Sequence, residues 1–225
     1  MLKTIAVLVL LSTPAMASVE NDVSALVQKM ADEVIVKIVE SNASPEVKIQ
    51  AMRIIFDTYA DMETVSRFVL GQHWRSADRE TREQFVDVFT NSIVHTWTRR
   101  FLEFAQPAMV FRFDVTRTHT SPDGRDVFVT TLVGAGDQGN PVTIMWRFSN
   151  RAPFRLVDII VEGVSMAMTY RNEYAAILSR NNGDIAHLME EIRSKTPPPP
   201  PAARTRGGTT GTRTRAMPAD VKLFQ

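Results

Sequence analysis

The chain of 225 residues has no cysteine, which excludes a disulfide framework, a thiolate nucleophile and a cysteine metal site. A domain of this size can rely on its core alone, whereas smaller exported scaffolds need staples. Long apolar runs are also missing. The strongest, Ile5 to Leu11, is seven residues long, far short of the roughly 20 that a membrane-spanning helix takes. Histidine is scarce: His73, His95, His119 and His187 are scattered, none in a convincing ligand pattern, so no metal site is expected. The sequence carries no Gly-x-Ser-x-Gly elbow, no phosphate-binding loop and no His-Glu-x-x-His, and Gly163-Val164-Ser165 lacks the glycine an elbow requires. Asp57, Asp61 and Glu63 form the nearest acidic group and read as a solvated helix end rather than a cation site.

What is present at the N-terminus describes export. Lys3, the apolar Ile5 to Leu11 and the small-x-small Ala15-Met16-Ala17 together read as a secretory signal peptide over residues 1–17, with a mature chain from Ser18; an uncleaved anchor is the alternative. The formal charge of +1 divides unevenly. Without Lys3 it is 0, and the segment from Lys195 onward carries six basic residues against Asp220, a balance of +5, so the body stands at −5. An acidic body argues against nucleic acid as a partner. The basic end, KTPPPPPAARTRGGTTGTRTRAMPADVKLFQ, has too few large apolar residues for a core, and a disordered tail over 196–225 is expected. Arg204, Arg206, Arg213 and Arg215 are either solvated there or drawn to anionic headgroups or an acidic partner.

Residues 18–195 are expected to form a single α+β domain, with a helical half over 18–106 and a sheet plus closing helices over 107–195. Val23, Val27, Met30, Val34 and Ile38 recur at helical spacing in a first helix, about Glu20 to Ser41. Ser44-Pro45 caps a second, to about Tyr59, and a short third ends at Gly71. Asp78 caps the longest, which runs to about Phe104 with the stripe Phe85, Phe89, Ile93, Trp97, Phe101 and Phe104. From Met109 the period becomes two, predicting about four strands in an antiparallel meander, followed by helices over about Ser165 to Arg180 and Asp184 to Ser194.

The junction of the fourth strand and the next helix, RLVDIIVEGV into SMAMTYRNEYAAIL, resembles the VEGVSM signature of the MlaC family, also called the toluene-tolerance family. RFVLGQHWR from Arg67 to Arg75 and VTIMWRF from Val142 to Phe148 fit the same family, and the likeness spans about Val23 to Ile192. The resemblance implies a soluble periplasmic carrier that holds the acyl chains of a phospholipid between a curved sheet and the helices. It further implies exchange between an inner-membrane ABC transporter complex, with its membrane-anchored lipid-binding subunit, and an outer-membrane lipoprotein and porin complex, so maintaining lipid asymmetry of the outer membrane. No enzymatic activity and no cofactor besides the phospholipid cargo are expected, and the protein is expected to be a monomer. His73 and Trp74 fall where such proteins place aromatics, implying a structural role.

An aromatic stripe at helical spacing is ordinarily core; under the resemblance, part of this apolar surface lines a lipid cavity instead. The expected lining is Phe68, Leu70, Phe85, Phe89, Trp97, Phe101, Phe111, Phe113, Val129, Ile144, Trp146, Phe148, Ile159, Val161, Val164, Met166 and Met168. Met145, Met166 and Met168 either adapt to varied acyl chains or fill gaps in the core. Arg147 and Glu162, charged within an apolar strand context, are expected to pair with each other, with Asp158 or with backbone groups; with Arg99 and Arg100 they are candidates for the headgroup or pocket mouth. The alternative functions are an envelope enzyme, for which only Asp158 and Glu162 offer an acid or base in an apolar cavity, and an adaptor whose cavity is empty.

Overall fold

A stripe of valines on the first helix sets the first layer. A computed structural model describes residues 15–104, 111–135 and 141–198. In α1, Ala15–Val34, the residues Val23, Val27, Met30 and Val34 lie on one buried face, as their spacing requires. The helix then widens into a π-helical segment, Ile35–Val39, closed by Glu40 N–H on the Ile35 carbonyl. After Ser44, whose Oγ accepts from Val47 N–H, Pro45 opens α2, Pro45–Tyr59. Asp61 caps α3, Met62–Leu70, and Gly71 ends it at φ +57°, a left-handed value that side chains disfavour. A short α4, Gln72–Ser76, precedes the long α5, Arg79–Phe104, capped by Asp78 through Thr81 N–H at 2.7 Å.

The second half is one antiparallel meander. β1 is Phe111–Thr120, β2 Asp126–Ala135, β3 Val142–Ser149, β4 Leu156–Val161 and β5 Val164–Ser165, in sheet order β1-β2-β3-β4-β5. The fifth strand, two residues long, adds to the four expected; it forms because Glu162 and Gly163 turn the chain back at positive φ. Trp146 pairs with Val129 and Phe148 with Val127, so these four side chains share the face turned to the helices. Arg147 and Phe128, one residue out of step, share the other face. Helices α6, Met166–Arg180, and α7, Ile185–Lys195, close the fold, capped by Ser165 and Asp184.

Two cores result. One lies between the sheet and α1, the π-helical segment and α2, with Val23, Val27, Ile38, Val127, Val129 and Phe148 fully enclosed. The other lies among α3 to α7, where Phe85, Phe89 and Tyr174 pack ring against ring at 5.7 to 6.3 Å. Residues 1–14, most of the expected signal peptide, and 199–225, most of the expected tail, lie outside the described residues.

Candidate functional site

Within the first core the sheet and the helices leave a gap. A cavity of about 70 Å³ is walled by Met30, Ala31 and Val34 of α1, by Ile35 and Val39 of the π-helical segment, by Met52, Ile55, Phe56, Tyr59 and Ala60 along α2 and its cap, and by Trp97 and Phe101 of α5. Phe113, Val133, Ile144, Trp146, Leu156 and Ile159 form its sheet side. Phe56, Ala60, Trp97, Leu156 and Ile159 are shared with a neighbouring cavity of about 50 Å³ that extends to Phe89, Met166, Ala167 and Tyr170. No charged side chain lines the first cavity.

The few polar atoms in this lining are already engaged. Trp146 Nε1–H donates to Thr131 Oγ1 at 3.0 Å, and Thr131 in turn donates to the Ile144 carbonyl at 3.2 Å. Tyr59 O–H donates to Glu33 Oε1 at 2.6 Å, while Lys37 Nζ holds the other Glu33 oxygen at 2.6 Å. Burial first, and then the Glu33 partner, push the Tyr59 phenol up to about 12. The lysine and tyrosine hydrogen bonds hold the Glu33 carboxyl below its usual range. With its polar groups satisfied internally, the surface offers an occupant apolar contact alone.

Of the residues nominated from the sequence, Trp97, Phe101, Phe113, Ile144, Trp146 and Ile159 meet in the first cavity, and Phe89 and Met166 reach the second. Leu70 and Phe85 are packed among α3 to α7. Val129, Phe148 and Val161 are sealed at 0 to 2% exposure. Phe68 is exposed beneath the Arg171 guanidinium, 4.8 Å from its ring, and Val164 and Met168 are also exposed. The Phe111 side chain lies outside the described residues.

Among the charged nominees, Arg147 does not pair with Glu162 or Asp158. It binds Asp126 at 2.7 Å, which raises its pKa, and lies over the Phe128 ring on the sheet face away from the cavity. β2 places Asp126 on the neighbouring strand, a pairing that distance along the chain conceals. Glu162 is exposed in a turn rather than enclosed in a strand, and accepts a hydrogen bond from Thr143 N–H. Arg99 points to solvent near Glu103 at 3.8 Å, whereas the Arg100 charge acts on Tyr170 at the second cavity. Asp158 accepts from Ser165 Oγ at 2.5 Å and Ala167 N–H at 3.0 Å, fastening the start of α6. Both carboxylates weighed for an enzyme are thus engaged in holding the fold together; Asp158 also lines the second cavity, whereas Glu162 lines neither.

The lining contributed by α1, the π-helical segment and α2 was not nominated. Its only sequence signal is the apolar stripe itself, which looks the same whether it meets a core or a cavity. The π-helical segment has no signal in the periodicity.

A family model described as MlaC protein matches residues 28–194. The chain belongs to the MlaC family. No curated protein matches it. Among solved structures, that of a phospholipid-binding protein from Ralstonia solanacearum, in complex with a phospholipid, shares the fold with a TM-score of 0.63 at 20% identity, covering 76% of this chain and 95% of that one. Among the described residues no helix is long and apolar enough to cross a membrane.

Proposed function

We propose that the protein is a soluble periplasmic carrier that takes the acyl chains of a phospholipid into the cavity between α1, α2, α5 and the sheet. The observation that carries this reading is the apolar lining without a charged side chain. Membership of the MlaC family and a structural relative that holds a phospholipid support it. Burying two acyl chains of about 30 methylenes recovers, at ~0.8 kcal/mol each, on the order of 20 kcal/mol, close to what leaving a membrane costs. Such a balance allows both loading and release, the requirement for a shuttle. The partners in this reading are an inner-membrane ABC transporter complex, with its membrane-anchored lipid-binding subunit, and an outer-membrane lipoprotein and porin complex, the exchange maintaining outer-membrane asymmetry.

The experiment is Trp146→Asp, which sets a carboxylate on the cavity wall at a cost of several kcal/mol if it stays charged. Phospholipid extracted from the purified variant is expected to fall well below that from the wild type, with circular dichroism unchanged. A folded variant with undiminished phospholipid would remove this wall from the binding site.

A further inference from the structure

The stretch Arg67 to Arg75 carries the family resemblance, yet none of its residues lines either apolar cavity. We propose that it forms, with the start of α5, a docking groove for an acidic polypeptide segment of a partner protein.

The groove, a cleft of about 840 Å³, brings together Arg67 of α3, Trp74 and Arg75 of α4, and Arg79 and Arg82 of α5. Four guanidinium groups thus converge on a body whose formal charge is −5. Their environments differ in a way that suits binding. Arg82 is fixed: its Nε donates to the Trp74 carbonyl at 2.8 Å, its Nη2 to the Arg75 carbonyl at 3.2 Å, and its guanidinium lies 5.6 Å from the Trp74 ring centroid. Together with the largely buried Trp74 it makes a rigid floor. Arg75 is exposed and has no acidic partner among the described residues. Arg67 and Arg79 hold only exposed neighbours one turn away, Glu63 at 3.6 Å and Glu83 at 2.7 Å, contacts weak enough to be exchanged for a partner's carboxylates. Guanidinium groups favour such carboxylates through paired hydrogen bonds.

The shape selects a polypeptide over an anionic membrane surface. The site is concave, with its aromatic floor recessed, and a flat bilayer reaches only its rim. Glu63 and Glu83 also line it, where they accept hydrogen bonds from a peptide's backbone N–H groups while the guanidinium groups take its carboxylates. Along α5, Arg82 lies fifteen residues from Trp97, about 22 Å at 1.5 Å per residue. A partner held here leaves the cavity uncovered, so the proposal stands or falls independently of the lipid reading.

The test is fluorescence anisotropy with a fluorescein-labelled peptide of alternating glutamate and alanine at low ionic strength. Four proteins are compared: wild type, Arg75→Glu with Arg79→Glu, the milder Arg75→Gln with Arg79→Gln, and a control, Arg125→Glu with Arg193→Glu, that changes net charge elsewhere by as much as the first variant and by more than the second. Wild type and control are expected to bind, and the groove variants to bind at least about tenfold more weakly, a loss of about 1.4 kcal/mol, with unchanged circular dichroism and copurified lipid. Should the glutamate variant fail to fold, the glutamine variant decides. No binding by wild type, equal binding by the groove variants, or an equal loss in the control would overturn the proposal. So would sedimentation with phosphatidylglycerol vesicles that the groove variants lose while peptide binding stays the same, since the site would then serve a membrane.

Discussion

Trp146 illustrates what a single position does here. Its ring forms part of the cavity wall while its N–H is spent on Thr131, which is fully buried between β2 and β3. Replacing Thr131 by valine keeps the shape and strands the indole donor, at about 1–3 kcal/mol. Thermal denaturation is expected to show a melting temperature several degrees lower; an unchanged value would mean that the hydrogen bond contributes nothing. Tyrosine gives a second handle. Tyr59, Tyr170 and Tyr174, the three tyrosines of the chain, all have raised pKa values, with burial the largest cause in each case. For Tyr59 the folded chain keeps its proton to about pH 12, against an ordinary value of 10.0. The associated stability is therefore whole below pH 10 and lost as pH rises through about 12. An alkaline absorbance titration is expected to show no phenol ionising near its ordinary pKa, only a late, steep rise as the fold gives way. A normal ionisation near pH 10 would contradict these placements. Neither hydrogen bond was legible in the sequence, because Trp146 meets Thr131, and Tyr59 meets Glu33, across separate elements. Alternation did put Ile144, Trp146 and Phe148 on one face; only depth along the strand separates the wall-forming Ile144 and Trp146 from the sealed Phe148.

At the scale of elements, the cavity's volume is the decisive quantity. One buried water takes roughly 10–15 Å³, so a space of about 70 Å³ holds only about five waters, and a diacyl lipid enters only if a wall moves. The wall best built to move is the C-terminal half of α1. The N-terminal half is pinned to β1, where Thr120 N–H and Oγ1 donate to Glu20 at 2.8 and 3.0 Å. The other end is tied to α2 by the Glu33–Tyr59 hydrogen bond and continues into the π-helical segment, a geometry common where helices serve function. Tyr59→Phe is accordingly expected to speed uptake of a fluorescent phospholipid several-fold while leaving the amount bound nearly the same; unaltered kinetics would locate the gate elsewhere. A disulfide engineered between this half of α1 and β2, which α1 touches, is expected to block uptake until reduced, and no native thiol competes with it. Uptake at the normal rate in the fully oxidised protein would show that another element opens. Apolar spacing marked α1 as a helix and Ser44-Pro45 marked the start of α2, but periodicity reports which face is buried, not what it is buried against.

The whole molecule joins a helical half and a meander through the first core, within which the cavity lies, while the second core holds α3 to α7 together. That division was readable because the hydrophobic period switches from 3.6 to 2 after the long helix, whereas the packing of α5 chiefly against α2, α3 and α7 rather than across β3 follows from tertiary geometry. The α4 turn also escaped the sequence reading, since five residues are too few for a period to register. Residues 199–225 hold most of the basic charge of the C-terminal segment and few large apolar groups. Truncation after Pro198 keeps the hydrogen bond from Asn91 to the Pro197 carbonyl, and the melting temperature is expected to stay within about a degree of the full chain; a large fall would mean that the removed segment packs on the body. The central claim, that the gap between sheet and helices takes a phospholipid, is tested most directly by native mass spectrometry of the protein purified without detergent and then incubated with phosphatidylethanolamine and phosphatidylglycerol vesicles. The account predicts a one-to-one adduct with the mass of a diacyl phospholipid, exchanged for one of different mass on incubation with excess vesicles of another phospholipid; a bare chain throughout, from a folded protein, would contradict it.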